Sequence, residues 1–290
     1  ERKEESRTIV DADYAILREF SHSNGITLNV VLQYAWHKVL SIYGNVSTTV
    51  VGTTLSGRNL PIDNIEESVG LYINTLPLIV EHNSEEKLLE ILRLLQDKIN
   101  DLTIYSNISL SKLKDKGRRL FSSLFVYENY PLAKLNPSLT SGKNMLKIKF
   151  DQGIEELDYP LGITAYESNN EIRLSLKYAG ELFSEETISS VLETVLMLVR
   201  QISQQTALSK VKDLVYLTPE NYQQIVYTWN KTEREYPDDK TIYQLFEEQA
   251  ARTPNNIAVV YEDTKLTYQE LNQRANQLAH YLRKTYQIQG

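Results

Sequence analysis

The sequence predicts a mixed α/β protein, and three observations carry that reading. Segments with apolar residues at helical spacing alternate with short β-branched or period-two runs. Gly (11) and Pro (8) are scarce among 290 residues, which excludes collagen-like and disordered compositions. No internal repeat suggests a solenoid. The length allows one large domain or two small ones, either able to bury a sizeable core.

Asp11 to Ser23 places Tyr14, Leu17 and Phe20 on one helical face and ends near Asn24-Gly25. A second helix follows, with Thr27 as N-cap, Gly44 as stop, and a broad apolar face through Val31, Ala35, Trp36 and Val39 that should sit against a sheet. VSTTVVGTTL reads as a strand, and so does TLPLIVEH, where Pro77 demands an edge, a bulge or a strand start. Ser84 is expected to open a long helix carrying Leu88, Leu92, Leu95 and Ile99. From Leu120 the period becomes two: LFSSLFVYE, MLKIKFDQ, LGITAYES and EIRLSLKYA read as strands, with Asn169-Asn170 as a hairpin turn between the last two. Ser184 then caps a helix to about Gln204.

Beyond Ala207 the apolar pattern weakens, and only a short helix is expected at Thr218-Pro219-Glu220. The last fifty residues read as a separate unit: helix Thr241 to Arg252, turn Thr253-Pro254-Asn255, strands IAVVYE and KLTY, and helix Tyr268 to Lys284. Neither end reads as a domain boundary, so the chain is expected to be an excised piece with that last unit unfinished.

Composition narrows the chemistry. A net charge of −7 argues against nucleic acid or an anionic membrane as the main partner. With no cysteine, the chain can form no disulfide framework, thiolate nucleophile, zinc ribbon or iron–sulfur cluster. The first residues lack the apolar core of a signal peptide, and no run approaches the roughly 18 apolar residues of a membrane span, so the cytoplasm is the default compartment. Three Asn-x-Ser/Thr triplets, at Asn45, Asn107 and Asn230, would matter only in a secreted chain.

The four histidines, His22, His37, His82 and His280, fit no HExxH or paired pattern, so surface or core roles are expected and no metal site is indicated. GTTLSGRN nearly spells a phosphate loop, but Arg58 stands where Lys is required and Asn59 where Ser or Thr would meet magnesium. No GxSxG nucleophile elbow surrounds Ser56. What stands out is a polar, glycine-bearing cluster between strands: Ser56, Gly57 and Arg58, then VGLYINTLP with Asn74 and Thr75. By residue chemistry alone this is turn material, with Gly57 and Gly70 supplying backbone freedom and Asn74 a local side-chain cap.

These residues carry a resemblance. VVGTTLSGRNLPIDNIEESVGLYINTLPLIV and SLFVYENYP resemble segments of nonribosomal peptide synthetase condensation domains, and DYPLGITAYESNNEIRLSLKYAGELFSEETI is similar to their closing hairpin and helix. The resemblance implies a chloramphenicol acetyltransferase-like fold, a pseudo-dimer of two α/β halves around a tunnel. Residues 1–206 match the second half, a two-layer mixed sheet. TIYQLFEEQAARTPNNIAVVYEDTKLTYQELNQRANQLAHYLR is similar to the start of an adenylation domain, giving a linker at 207–240 and an incomplete domain at 241–290.

The implied function is peptide-bond formation in an elongation module. A carrier-bound aminoacyl amine attacks a carrier-bound acyl thioester, and the implied partners are upstream and downstream carrier domains, the N-terminal half of the condensation domain and the rest of the adenylation domain. The family's HHxxxDG motif has no counterpart in this sequence, so no catalytic residue is expected here and the isolated chain should be inactive. No cofactor is expected on the chain itself; phosphopantetheine belongs to the carriers, and ATP with magnesium to a complete adenylation domain. By resemblance Asn74, Thr75, Ser56, Gly57 and Arg58 belong to the tunnel wall, where an Asn74 amide would meet a pantetheine or substrate carbonyl and Arg58 would order the loop or meet the carrier arm. The alternatives are a non-catalytic carrier-docking platform and the related epimerisation and heterocyclisation domains.

Overall fold

The computed structural model describes residues 1–58, 62–65, 67–113, 119–128 and 158–288. The expected strand MLKIKFDQ, the Asn129-Tyr130-Pro131 end of SLFVYENYP and Asn59 lie outside them. The chain divides into two compact units, Glu1–Tyr222 and Gln223–Gly290.

In the first unit β1 (Arg2–Ile9), α1 (Asp11–Asn24), α2 (Leu28–Gly44), β2 (Thr48–Leu55) and β3 (Asn74–Glu81) are followed by α3 (Leu88–Ile104) and the short α4 (Leu110–Leu113). Then come β4 (Ser123–Glu128), β5 (Leu161–Ser168), β6 (Glu171–Ala179), α5 (Glu185–Ser203) and a single turn, α6 (Pro219–Tyr222). Among the described residues the strands form one six-stranded sheet in the order β1-β6-β5-β4-β2-β3. It is mixed: β2 to β4 and β4 to β5 are parallel, while the outer pairs are antiparallel.

Thr27 caps α2, its Oγ1 accepting from Val30 N, and Ser184 caps α5 through Thr187 N. Helix α2 does pack on the sheet, with Trp36, Val30, Val31 and Ala35 fully buried. Its stop differs by one residue: the left-handed position is Asn45 (φ 47°), a conformation asparagine tolerates, and Gly44 remains helical. Asn169 and Asn170 take φ of 50° and 63°, the left-handed pair a two-residue hairpin requires. Pro77 lies in β3, an edge strand, where a missing N–H costs least. On β2, a side chain at Gly52 would lie 2.1 Å from the Phe121 ring, so only glycine admits that ring against the strand.

Two expectations need correction. Ser84 does not open α3; Lys87 is the N-cap. Residues 84–86 form a turn and Lys87 an isolated bridge to Lys210, and the segment is tied to a later one through Lys212 N to Ser84 O, Val211 N to Glu86 O and Leu88 N to Ser209 O. The N-terminal residues, read only as charged, form β1. It runs antiparallel to β6, its Arg7 pairing Glu193 of α5 at 2.7 Å. Charged residues suit an exposed edge because they discourage pairing with another chain. Val211 and Leu214 belong to the core of this unit.

The second unit contains a π-helical turn (Gln223–Thr228), α7 (Ile242–Arg252), β7 (Ile257–Tyr261), β8 (Thr264–Thr267) and α8 (Tyr268–Tyr286). Both longer helices start at capping boxes, Thr241 with Gln244 and Thr267 with Glu270. Among its described residues only Ala250 is buried. No helix among the described residues is long and apolar enough to cross a membrane.

Polar groups are also buried under α2. Thr49 Oγ1 bridges His37 Nδ1 (2.7 Å) and His82 Nε2 (2.9 Å), and with one proton it donates to one ring and accepts from the other. Burial, then His82 and Lys98, lowers His37 to about 3; burial, then Lys38, lowers His82 to about 4. The folded state therefore disfavours both charged rings, so protons favour unfolding once pH drops below about 6.5, the ordinary histidine value. Stability should be full above that value and fall toward pH 4. We expect the urea midpoint at about pH 5 to lie below that at about pH 7, and His82→Gln to weaken this dependence. An unaltered dependence in the variant would remove His82 from the account.

Candidate functional site

Strands β2 and β3 stay paired to the end, Leu55 opposite Asn74 and Thr54 opposite Thr75, so the excursion between Ser56 and Ile73 leaves and returns at one point. Gly57 sits at φ 65°, and a Cβ there would lie 2.1 Å from Tyr72 O. Both its backbone angle and the close approach of the returning chain require glycine. Arg58 then staples the loop from inside. Its Nη1 donates to Ile65 O (2.9 Å) and Ser68 O (3.0 Å), and its guanidinium lies 4.8 Å from the Tyr72 ring centre. Tyr72 OH meets Ser68 Oγ at 2.6 Å. Of the two roles expected of Arg58, ordering the loop is the one with visible contacts, made to carbonyls and an aromatic ring.

Asn74 is equally committed. Its amide donates to Ser106 O (2.7 Å) and Ile108 O (2.6 Å), while its Oδ1 accepts from Thr75 N (2.9 Å). Both amide hydrogens thus tie the start of β3 to the segment after α3, and neither is left for a ligand carbonyl. Thr75 Oγ1 lies 3.4 Å from Thr54 Oγ1. In the same segment, Val69 is 101% and Leu71 89% exposed.

Ser56 reaches a cavity of about 760 Å³ between the C-terminal end of β2, the start of α2 and the end of α3. Arg18 of α1, Tyr127 of β4 and Glu167 of β5 also line it. Glu167 Oε1 accepts from Tyr14 OH (2.9 Å), and Oε2 accepts from Tyr127 OH. Burial first, then Glu167 itself, raises both phenols, so they remain protonated donors. A larger groove of about 850 Å³ between α1 and the β5–β6 turn reaches none of the five expected residues. Among the described residues no cluster of three or more His, Asp or Glu is arranged to hold a metal. Residues 223–289 contain no glycine, so they offer no glycine-rich phosphate loop for ATP, and no step is assigned to it.

The structure thus brings the ends of Ser56–Arg58 and Asn74–Thr75 together, with Ser56 on the cavity. Sequence reasoning missed Tyr14, Arg18, Tyr127 and Glu167, which converge from three elements and carry no local spacing signal.

Residues 1–226 match the family model described as the condensation domain. The chain belongs to the condensation-domain family. Residues 246–289 match the AMP-binding enzyme model. A relative, N-(5-amino-5-carboxypentanoyl)-L-cysteinyl-D-valine synthase of Amycolatopsis lactamdurans, is 43% identical over 91% of the chain, which spans only 7% of that protein. Among solved structures, holo-AB3403, a four-domain nonribosomal peptide synthetase bound to AMP and glycine, superposes with a TM-score of 0.68 at 16% identity, covering 98% of this chain and 22% of that one. The X-domain of teicoplanin biosynthesis, solved in complex with OxyB, gives 0.60 at 19% identity, covering 75% of this chain and 49% of that one. The condensation-domain fold is therefore shared at low identity.

The staples make the loop sensitive to small changes. Gly57→Ala forces strain and a clash, and Asn74→Ala leaves two carbonyls without their donor; each is expected to cost about 1–3 kcal/mol in chemical denaturation. A Gly57→Ala midpoint equal to that of the parent chain would contradict the geometry.

Proposed function

We propose that this chain is part of a nonribosomal peptide synthetase elongation module, its condensation domain joining a carrier-bound aminoacyl amine to a carrier-bound acyl thioester. The observation that carries the reading is the cavity at Ser56, open beside a stapled loop at the end of β2 in a member of the condensation-domain family. The order of the two family matches, condensation then AMP-binding, fits an elongation module.

In the reaction the amine nitrogen attacks the thioester carbonyl. The C–N bond forms, the C–S bond breaks, the pantetheine thiol leaves, and the nitrogen loses a proton. An α-amine titrates near 8, so the site must favour its free base and align it with the carbonyl. The five residues supply shape. Ser56 borders the cavity, Gly57 and Arg58 hold the loop, and Asn74 and Thr75 fix the strand that closes it. Proton removal is assigned to a histidine motif in the N-terminal half of the domain, so the 290-residue chain alone is expected to be inactive. Exposed Val69 and Leu71 suit contact with that half. The boundaries we infer are 1–206 for the condensation half, 207–240 for the linker and 241–290 for the start of the adenylation domain. The remaining partners are carrier domains bearing phosphopantetheine and the rest of the adenylation domain with ATP and magnesium, acting in the cytoplasm. The relative's name makes a 5-amino-5-carboxypentanoyl group the first acyl donor to test.

A second reading, a non-catalytic docking platform, is favoured by the X-domain, a fold neighbour solved in complex with another protein. The two separate in the intact synthetase. Asn74→Ala should lower peptide formation about tenfold while amino-acid-dependent pyrophosphate exchange is unchanged. Unchanged dipeptide release would refute the role of Asn74. Carrier binding without any peptide product in the parent enzyme would favour the platform.

A further inference from the structure

Glu167 is held with unusual care for a residue with no assigned role. Each carboxylate oxygen takes one phenol hydrogen, from Tyr14 and Tyr127, which fixes the plane of the group. A carboxylate offers about four acceptor sites, so each oxygen keeps capacity for one more donor. Glu167 and Tyr127 line the 760 Å³ cavity, a volume within the roughly 300–1,000 Å³ of ligand pockets. Arg18 lines the same cavity and forms no ion pair with Glu167. Two opposite charges therefore share one cavity without neutralising each other.

That arrangement selects a ligand class. A lone anion is repelled by Glu167, a lone cation by Arg18, and an apolar chain strips water from both without replacing it. A group carrying an ammonium and a carboxylate on neighbouring atoms satisfies both. Because Ser56 borders the same cavity, such a group would lie on a path continuous with the proposed tunnel wall.

We propose that this cavity is a head-group pocket in which Glu167, oriented by Tyr14 and Tyr127, receives the ammonium and Arg18 the carboxylate of an amino-acid-terminated acyl donor. The inference rests on the condensation reading and names the donor class for it. In this role Glu167 and Arg18 determine specificity and take no part in bond formation.

The test uses the intact synthetase with two pantetheine thioesters, one carrying the 5-amino-5-carboxypentanoyl group and one carrying plain pentanoyl. Glu167→Gln and Arg18→Gln should each lower kcat/KM for the charged donor about tenfold, the worth of one charge-assisted hydrogen bond, and leave the pentanoyl donor within about twofold. Arg18 is exposed on α1 and outside the tyrosine network, so its variant tests the pocket even where Glu167→Gln misfolds. An equal loss for both donors overturns the proposal and makes Glu167 a structural strut. Calorimetric titration with free 2-aminohexanedioate separates the two readings. If no donor condenses but the parent enzyme binds this compound and the variants bind it at least about tenfold more weakly, the condensation reading fails and the pocket stands. No binding to the parent enzyme overturns the pocket.

Discussion

Three buried hydrogen bonds tie α2 to the sheet: Thr53 Oγ1 donates to Gln33 (3.0 Å), Trp36 donates to Ser123 Oγ (2.9 Å), and His37 meets Thr49 (2.7 Å). Positions 33, 36 and 37 share a helical face, and positions 49 and 53 share a strand face. Gln33 pairs with the later strand residue and His37 with the earlier, so the helix runs antiparallel to β2. Four residues span about 6 Å of helix but about 13 Å of strand, and the long Gln33 side chain takes up the mismatch. A one-residue slip of β2 would turn Thr49 and Thr53 to the other face. Each group left buried without a partner would then cost about 1–3 kcal/mol. The register of β2, and so the position of Ser56, depends on these contacts.

From that fixed point the loop is organised by what the chain spends on itself. Arg58 satisfies backbone carbonyls, and Asn74 gives both amide hydrogens to carbonyls beyond α3. Groups used this way set the shape of a wall and leave recognition to others. The side chains with unspent capacity, Glu167 and Arg18, line the same cavity from different elements.

Much of this fold was legible in the sequence because its signals are local. Thr27 and Ser184 cap helices by contacts three residues away, Asn169-Asn170 needs only its own backbone angles, and Pro77 announces an edge. Where the deciding contact is remote, reading failed. Ser84 looks like a cap, but it sits in a turn bonded to residues 209–212, and the helix starts only after Lys87. Strand β1 is stabilised by β6, about 170 residues away, and its charged edge hides the alternation. Asn74 was visible as a special residue, while its partners were not. Tyr14, Tyr127 and Glu167 meet only because α1, β4 and β5 converge, and no spacing rule foretells that.

The exposure of Val69 and Leu71 follows from the same economy of contacts. A flexible loop would fold such side chains onto its own surface, gaining about 25 cal/mol for each Å² covered. Arg58 and Tyr72 turn toward Ser68, while Val69 and Leu71 stay in solvent. A surface arranged in advance loses little freedom when it is covered. On the proposed reading, the half-domain that covers it therefore gains nearly the full apolar burial, which favours a permanent internal contact over a transient one. The contacts of Arg58 with Ile65, Ser68 and Tyr72 and the exposure of Val69 and Leu71 then belong to one arrangement, polar groups paired within the segment and apolar ones presented outward.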